Sequence, residues 1–425
     1  MSGISLATSA ASGQGVVDLI GVVRPYWPVL LVALLVALLL TPVMRLLALR
    51  NGVVDHPDLS RKVHRKPVAY LGGVAIFLAW MAGVSACYLA SPVGLWSGQG
   101  GLGSAHVPLS ILVGAMAITL TGLFDDVYGI SPRVKVGGQL FAAAALASQD
   151  VGLRLAEASL TFIGIADAPE ILVYTLGTAV IAGFVIGGCN AMNLLDGMDG
   201  LAAGVGAIAA LGFLVIASIV AVRALGEPGI GPLDAGRIVM CLAILGALIG
   251  FLPYNFNPAK IFMGDAGSLL LGYLCVATIL LFAQAQGTLL MVTAALIVFA
   301  LPITDTSLAI FRRKMQGRPI MSPDNGHLHH LLQRSGMSVR QTVLCLYGLG
   351  LVFASLGVTL VLLEARVRYV MALFVVLYLA IIIVAYRYGQ ALAAREADAR
   401  RNEPAAAAPA EPVEPAVTSG SGKAV

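Results

Sequence analysis

Long uninterrupted runs of apolar residues constrain this chain more than any other feature of its sequence. Eleven such runs follow one another, and a membrane-spanning helix needs roughly 20 apolar residues. They cover residues 27–49, 69–91, 105–123, 135–149, 171–189, 200–222, 237–252, 267–286, 288–303, 341–363 and 367–386. Lipid permits only helices or closed barrels as spanning structures, and these runs are too long and continuous for barrel strands. The sequence therefore predicts an all-α, polytopic membrane helical bundle with about 11 transmembrane helices.

The composition supports this fold class and argues against others. Only 11% of the 425 residues are charged and 59% are hydrophobic, whereas about a quarter of a soluble domain is charged. The net charge of +4 is too small to indicate a nucleic-acid partner. All five cysteines lie in or beside apolar runs without a CxxC pair, which indicates buried thiols and neither a disulfide framework nor a zinc site.

Composition and charge also divide the chain and orient it in the membrane. Residues 1–26 are predicted to be a loose N-terminal segment without a cleaved signal peptide, 27–386 the membrane domain, and 387–425 a disordered tail. Alternation through eleven spans places 20 of the 26 Lys and Arg residues on one side. The positive-inside rule makes that side cytoplasmic, with the N-terminus outside and the C-terminus in the cytoplasm.

Every conspicuous polar cluster falls in the loops assigned to the cytoplasmic side. The clusters are Asp58 to Pro67 followed by Leu71-Gly72-Gly73, then Asp125-Asp126, then Asn193 to Gly200, then Asn255 to Ser268, and finally a long segment with Asp305, Arg312, Arg313, Arg318, His327, His329 and His330. The outer loops hold nothing comparable. The sequence therefore indicates one site that faces the cytoplasm.

The residue types in these clusters suggest the chemistry of the site. Carboxylates at the edge of a membrane segment are costly, so Asp196 and Asp199 need a functional reason, and a helical backbone would put both on one side. Together with Asp125, Asp126 and Asp265 they suit a hard divalent cation such as Mg²⁺, of which only one or two would be direct ligands. The basic and histidine residues suit phosphate oxygens. The substrate is therefore expected to contain phosphate.

Each cluster also has a simpler structural interpretation. The Asp196 to Gly200 segment would serve as a solvated interhelical loop, and Asp125-Asp126 as the last turn of a helix. The basic residues near Lys62 would anchor the protein to anionic lipid. The Gly72-Gly73 pair would serve helix packing alone. The histidines would bind zinc, although no Cys or second His cluster completes a zinc ligand set.

Taken together, the motifs resemble the polyprenyl-phosphate N-acetylhexosamine-1-phosphate transferase family (glycosyltransferase family 4). The resemblance covers residues 45–345 with the motifs in order. Its elements are the first cytoplasmic motif with Asp58, Arg61, Lys62, His64, Pro67 and Leu71-Gly72-Gly73, the aspartate pair Asp125-Asp126, the NxxDGxDG element from Asn193 to Gly200, the MGDxGS element from Met263 to Ser268, and the HxHHLL loop from Asp324 to Leu332.

The resemblance implies a reaction and roles for residues. A membrane-embedded polyprenyl phosphate attacks the β-phosphate of a UDP-sugar and releases UMP, with Mg²⁺ required and Mn²⁺ as an alternative. By this resemblance the catalytic residues are Asp125, Asp126, Asp199, His327, His329 and His330; the substrate-binding residues are Asp58, Lys62, His64, Asn193, Asp196, Arg312, Arg313 and Arg318; and the metal ligands are Asp265, Asp196 and Asp125. An extended histidine loop would let His327 and His329 converge on one phosphate. Direct attack is favoured over an aspartyl-linked intermediate, because a lipid phosphate is already largely ionised.

The sugar is the least determined part of this interpretation. The form Ala69-Tyr70-Leu71-Gly72-Gly73 and the Arg312 to Pro319 run resemble the branch that transfers N-acetylglucosamine-1-phosphate to undecaprenyl phosphate and starts a cell-envelope polysaccharide. Asn325 stands where a basic residue often occurs and weakens the assignment. Alternatives are a phospho-N-acetylmuramoyl-pentapeptide transferase and a cation-coupled transporter, although a transporter would need ionisable residues deeper in the membrane.

The resemblance also implies the partners and the location. The expected partners are the UDP-sugar, the polyprenyl phosphate and membrane lipid, without nucleic acid, and a homodimer is left open. The expected location is the inner (cytoplasmic) membrane of a bacterium, as a multi-pass protein with the active site facing the cytoplasm.

Overall fold

The computed structural model describes residues 14–55, 67–90, 105–165, 167–224, 232–317, 319 and 326–402. Its helices are α1 (Gln14–Val23), α2 (Trp27–Arg50), α3 (Gly72–Ala90), α4 (Leu109–Tyr128), α5 (Pro132–Ala147), α6 (Leu153–Phe162), α7 (Glu170–Leu195), α8 (Leu201–Ala224), α9 (Pro232–Asn255), α10 (Gly264–Phe282), α11 (Thr288–Val298), α12 (Ala300–Met315), α13 (Leu328–Arg334), α14 (Val339–Leu362) and α15 (Val367–Asn402). Two short antiparallel strands, β1 (Val54–Asp55) and β2 (Val68–Ala69), form a hairpin, with Val54 opposite Ala69.

The all-α membrane architecture is confirmed, whereas the number of spans is only partly supported. Among the described residues, eight helices are long and apolar enough to cross a membrane. A ninth span results if α11 and α12, which are bent by 73° relative to each other, count as one. The remaining predicted runs are α5, which has only 16 residues, and the first part of α15. The figure of eleven therefore stays a prediction.

The chain is helical where its ends were expected to be irregular. Residues 14–23 form α1 and Arg24–Tyr26 a 3₁₀ turn, so helical structure begins within the segment predicted to be loose. At the other end α15 continues to Asn402, 16 residues past the predicted boundary at 386. Residues 391–402 are rich in Ala and Arg, which are strong helix formers and extend the helix. Residues 403–425 lie outside the described part of the chain.

Helix α10 is the centre of the bundle and begins at the candidate site. Of the stretch that defines it as a span, 94% is buried inside the protein. A helix that is apolar on all sides is suited to such an interior position. Helices α3, α4 and α7 pack around it, so its first turn, with Asp265, is enclosed by neighbouring helices.

Glycines determine how closely α3 and α4 approach the start of α10. A Cβ added to Gly73 would overlap the backbone of Gly267, and one added to Gly122 would overlap the backbone of Asp265 and Ala266. Only a residue without a side chain fits there. The helix-packing interpretation of Gly72-Gly73 therefore has direct structural support.

Gly122→Ala is expected to destabilise the protein by about 1–3 kcal/mol, the usual cost of overpacking a close-packed interior. The added methyl would meet backbone atoms, which cannot rotate away. The measurement is the Tm of the detergent-solubilised protein. Gly137→Ala is the matched control, because nothing lies within 4 Å of a Cβ at that exposed position on α5. Equal Tm values for the two variants would contradict the close approach of α4 and α10.

Candidate active site

Asp126 lies near the end of α4 and caps the first turn of α10. Its Oδ1 accepts a hydrogen bond from the backbone N–H of Asp265 at 2.8 Å, and its Oδ2 accepts one from Ala266 at 3.0 Å. The first N–H groups of a helix have no acceptor within the helix, and a carboxylate there also interacts favourably with the helix dipole. Asp126 was predicted to be catalytic. The structure shows that it holds the backbone of Asp265 in place, and its catalytic role stays a prediction.

Lys135 joins two of the predicted aspartates. Its Nζ lies 2.7 Å from Asp125 Oδ2 and also contacts Asp265 Oδ2. The other oxygen of Asp125 accepts a hydrogen bond from the backbone of Ile130 at 2.9 Å. The three charged side chains are 18–25% exposed, so the cluster is open at one side. Sequence reasoning missed Lys135, although the short connection from α4 to α5 could have placed it beside Asp125.

Asn193, near the end of α7, binds the other side of Asp265. Its Nδ2 donates to Asp265 Oδ1 at 2.7 Å and to Ser268 Oγ at 2.9 Å. Ser268 lies one helical turn beyond Asp265 and therefore on the same face of α10. Asp265 thus stands at the junction of α5, α7 and α10, and Asn193 lies beside it as the sequence indicated.

Asp196 and Asp199 do not form the helical pair that their spacing allows. Helix α7 ends at Leu195, Asp196 is its C-cap, and residues 196–200 form turns. Asp199 Oδ2 accepts hydrogen bonds from Asn257 Nδ2 at 2.9 Å and from the backbone of Ala259 at 3.0 Å. Asp199 therefore ties this turn to the loop that follows α9.

Asp196 faces the carboxylates of the α10 junction. Its side chain receives no hydrogen bond from the described residues. Burial, followed by the nearby charges of Asp265, Asp126 and Asp199, raises the pKa of Asp196 well above the usual value of a carboxyl group. A cation at this point would relieve the repulsion between the carboxylates.

The histidine cluster is held by Asp305, a residue of α12. His327 Nδ1 lies 2.9 Å from Asp305 Oδ2, and the backbone N–H of Leu328 donates to Asp305 Oδ1 at 2.8 Å. The expectation of an extended loop is wrong here, because α13 begins at Leu328 directly after His327. The rings of His327 and His329 nevertheless stack in parallel, with centroids 5.7 Å apart and an interplanar angle of 5°. The centroid of His330 lies 4.2 Å from that of His329.

The histidine cluster meets the Asp196 turn at Gly197. A Cβ at Gly197 would lie 2.9 Å from His329 Nε2, so the ring is packed against the glycine. Burial, together with the neighbouring His330, lowers the pKa of His329 to about 3. His329 is therefore neutral near pH 7 and offers a hydrogen-bonding group without a positive charge.

Of the remaining predicted substrate-binding residues, only Arg312 and Arg313 lie in the part of the chain that the structure describes. Arg312 and Arg313 lie in the last turn of α12, and the guanidinium of Arg312 packs against Gly326 just before the histidines. Asp58, Lys62, His64 and Arg318 lie outside the described residues. The β1–β2 hairpin brings the flanks of residues 56–66 together, and Phe262 N donates to Ala69 O at 2.9 Å next to the start of α10.

The donors at the α10 junction fit a hard cation, although they do not form a complete cage. In the described part of the chain, no group of three or more His, Cys, Asp and Glu side chains is arranged to hold a metal ion. Mg²⁺ commonly takes only one or two protein carboxylates and completes its shell with water and phosphate. Asp265 and Asp196 supply such carboxylates. Asp125, the third predicted ligand, is paired with Lys135.

Comparisons with known proteins identify related sequences. The sequence profile of glycosyl transferase family 4 matches residues 108–283. A probable undecaprenyl-phosphate N-acetylglucosaminyl 1-phosphate transferase of Bacillus subtilis is 37% identical over 333 residues, which are 78% of this chain and 83% of the relative. The decaprenyl-phosphate N-acetylglucosaminephosphotransferase of Mycobacterium tuberculosis is 35% identical over 75% of this chain and 78% of its own length. The undecaprenyl-phosphate alpha-N-acetylglucosaminyl 1-phosphate transferase of Yersinia pestis is 27% identical over 74% and 79%.

Proposed function

Because this chain belongs to glycosyl transferase family 4, we propose that it transfers N-acetylglucosamine-1-phosphate from UDP-N-acetylglucosamine to undecaprenyl phosphate. The products are UMP and the lipid-diphosphate sugar that starts a cell-envelope polysaccharide. The resemblance seen in the sequence motifs is confirmed at the level of the family. The relatives named above act on N-acetylglucosamine, which favours this sugar over the phospho-N-acetylmuramoyl-pentapeptide alternative.

The observation that carries the proposal is the junction around Asp265. Phosphoryl transfer depends on positioning and on neutralisation of phosphate charge more than on covalent chemistry by the protein. Lys135 and Asn193 converge on Asp265, and His329 abuts the adjoining turn at Gly197. This convergence of a cation, an amide and imidazoles around carboxylates suits two phosphate-bearing substrates that meet at a membrane surface.

In this proposal each group of side chains has a separate role in binding or orienting the two substrates. Lys135, held by Asp125, neutralises phosphate charge and orients the lipid phosphate for direct attack on the β-phosphate of the UDP-sugar. Arg312 and Arg313 bind the phosphates of the nucleotide, and the histidines donate hydrogen bonds to the transferring group. Asp58, Lys62, His64 and Arg318 complete the substrate contacts in this proposal.

A divalent cation belongs to the proposal as well. Asp265 and Asp196 would hold Mg²⁺, or Mn²⁺ in its place, and the ion would polarise the phosphoryl oxygens. Asn193 orients Asp265 for that role. Asp126 and Asp199, for which the sequence predicts catalytic roles, also hold the backbone at the start of α10 and in the loop after α9.

The direct test combines the purified protein, Mg²⁺, undecaprenyl phosphate and a panel of UDP-sugars, with release of UMP as the readout. The panel contains UDP-N-acetylglucosamine, UDP-N-acetylgalactosamine and UDP-N-acetylmuramoyl-pentapeptide. UMP release is expected with UDP-N-acetylglucosamine. Release with the pentapeptide substrate alone would replace the proposed sugar, and no release with any of them would overturn the proposed activity.

The proposed topology places the site on the cytoplasmic face of a bacterial inner membrane. In a Cys345→Ala background, which removes the exposed cysteine of the described residues, Asp167→Cys is expected to react with a membrane-impermeant maleimide in intact cells. Gln316→Cys, exposed after α12, is expected to react only after permeabilisation. The reverse labelling pattern would contradict a cytoplasmic site.

A further inference from the structure

Asp305 is a buried carboxylate of the polar clusters to which the sequence motifs give no role. It lies in α12 just after the 73° bend that separates this helix from α11, and its side chain is only 1% exposed. Both of its oxygens accept hydrogen bonds, one from His327 Nδ1 and one from the backbone of Leu328. A carboxylate is costly to bury unless its oxygens are satisfied, and here the first residues of the histidine cluster satisfy them.

This contact determines which nitrogen of His327 remains available. An ionised carboxylate only accepts hydrogen bonds, so Nδ1 of His327 carries a proton. A phosphate oxygen is also an acceptor, so Nε2 can bind it only as the second N–H donor of the doubly protonated imidazolium. Nε2 lies on the far side of the ring from Nδ1 and therefore points away from Asp305. The Nδ1 partner of a functional histidine commonly sets the ring orientation and the tautomer in this way.

The orientation of His327 is passed on to the rest of the cluster. Its ring stacks in parallel on His329, and His329 Nε2 lies against Gly197, next to Asp196. The two imidazoles therefore connect the buried Asp305 with the turn that faces the α10 junction. A change in the angle of the His327 ring would disturb this stack.

We propose that Asp305 is a positioning residue for the transfer reaction, which orients His327 so that the Nε2–H of its imidazolium form donates to the phosphate groups of the nucleotide sugar. The inference rests on the proposed function, because it takes the phosphates of that substrate as the partner of Nε2. Asp305 itself touches no substrate. It acts through His327, and its loss is expected to lower the rate of the chemical step.

Asp305→Asn is the most informative substitution, because it preserves the shape of the side chain and removes one acceptor. The two contacts use different oxygens of Asp305, so an amide can accept at only one of these positions. A neutral amide also removes the negative charge that pairs with the imidazolium of His327. We expect kcat to fall roughly 10- to 100-fold, as for other partners that orient a functional histidine, with KM for the UDP-sugar little changed.

A double-mutant cycle separates positioning from a structural role. His327→Ala is expected to lower kcat by roughly 10²–10³-fold, by analogy with the loss of one oxyanion donor. If Asp305 acts through His327, the double variant Asp305→Asn/His327→Ala has the same kcat as His327→Ala. A product of the two losses would mean that Asp305 acts independently, and it would overturn the inference.

His327→Asn provides a test that does not depend on changing the buried carboxylate. Asn is well suited to the N-cap position of α13, and its amide can donate to Asp305, but it has no atom at the place of Nε2. It is expected to retain the wild-type Tm and to lose kcat as severely as His327→Ala. Turnover near the wild-type value in His327→Asn would overturn the role of Nε2.

Ser338→Ala is the control for the loss of a helix cap. Ser338 caps α14 through a capping box with Gln341, and these hydrogen bonds involve no residue of the histidine cluster. Its removal is expected to lower the Tm without changing kcat. Wild-type protein that releases no UMP would refute the proposed function, whereas active wild-type protein with unchanged kcat in Asp305→Asn would refute this inference alone.

Discussion

Asp265→Asn is expected to lower kcat/KM for UMP release by about 10³-fold while the protein stays folded. A bound cation contributes several kcal/mol of transition-state stabilisation, and about 1.4 kcal/mol corresponds to tenfold in rate. The substitution removes the charge that would hold the ion and retains an oxygen that can accept from Asn193. The measurement is steady-state UMP release, with the Tm as the check on folding.

Asp167→Asn is the control, because this aspartate is exposed and lies between α6 and α7, apart from the residues of the site. It is expected to retain wild-type turnover. In the wild-type protein EDTA is expected to abolish UMP release, and added Mg²⁺ or Mn²⁺ to restore it. Near-normal turnover of Asp265→Asn would show that Asp265 is not the principal metal ligand. Activity that persists in EDTA would contradict the requirement for a divalent cation.

Lys135→Met is expected to reduce kcat/KM by roughly 10²-fold, the effect of losing one charge-assisted donor to phosphate in the transition state. The substitution also leaves Asp125 and Asp265 facing each other without the ammonium that they share. Loss of one partner from a partly buried charge cluster destabilises the charges that remain. The assay is UMP release at varied UDP-sugar and undecaprenyl phosphate concentrations.

Arg133→Met provides a matched control for the change in charge. Arg133 is exposed and lies two residues before Lys135 on the same helix, so both variants lose one positive charge at the same end of α5. We expect Arg133→Met to keep near-normal turnover. Equal losses in the two variants would mean that the general positive potential matters, and not the bridge from Lys135 to the two carboxylates.

Much of the site could be found from the sequence because polar residues at the edge of apolar runs are conspicuous. Asp125, Asn193, Asp196 and Asp265 were identified in this way, and the structure brings them to the start of α10. Lys135 was missed because it is a single lysine at the start of an apolar run, where a basic residue has many ordinary explanations.

Asp126 and Asp199 were also recognised from the sequence as members of polar clusters. The backbone groups that they contact could not be predicted from the sequence. Asp126 is bound to a backbone 139 residues away, and Asp199 to one 60 residues away. The three-residue spacing of Asp196 and Asp199 suggested a shared helical face, yet α7 ends at Leu195, before both of them. No local pattern encodes which N–H group a carboxylate will accept from.

The sequence by itself determined the fold class, the approximate positions of most spans and the identity of the polar motifs. The fold class and the spans depend on the cost of exposing polar backbone to lipid, and the composition of each segment by itself shows whether it can form a spanning helix. The polar motifs are read directly from the residues. Only the tertiary structure decided the bend before α12, the pairing of Asp305 with His327, the neutral state of His329 and the bridge from Lys135 to Asp125 and Asp265. Those features depend on burial and on distances between helices far apart in the chain, because electrostatic and hydrogen-bonding energies are set by the neighbours that packing supplies.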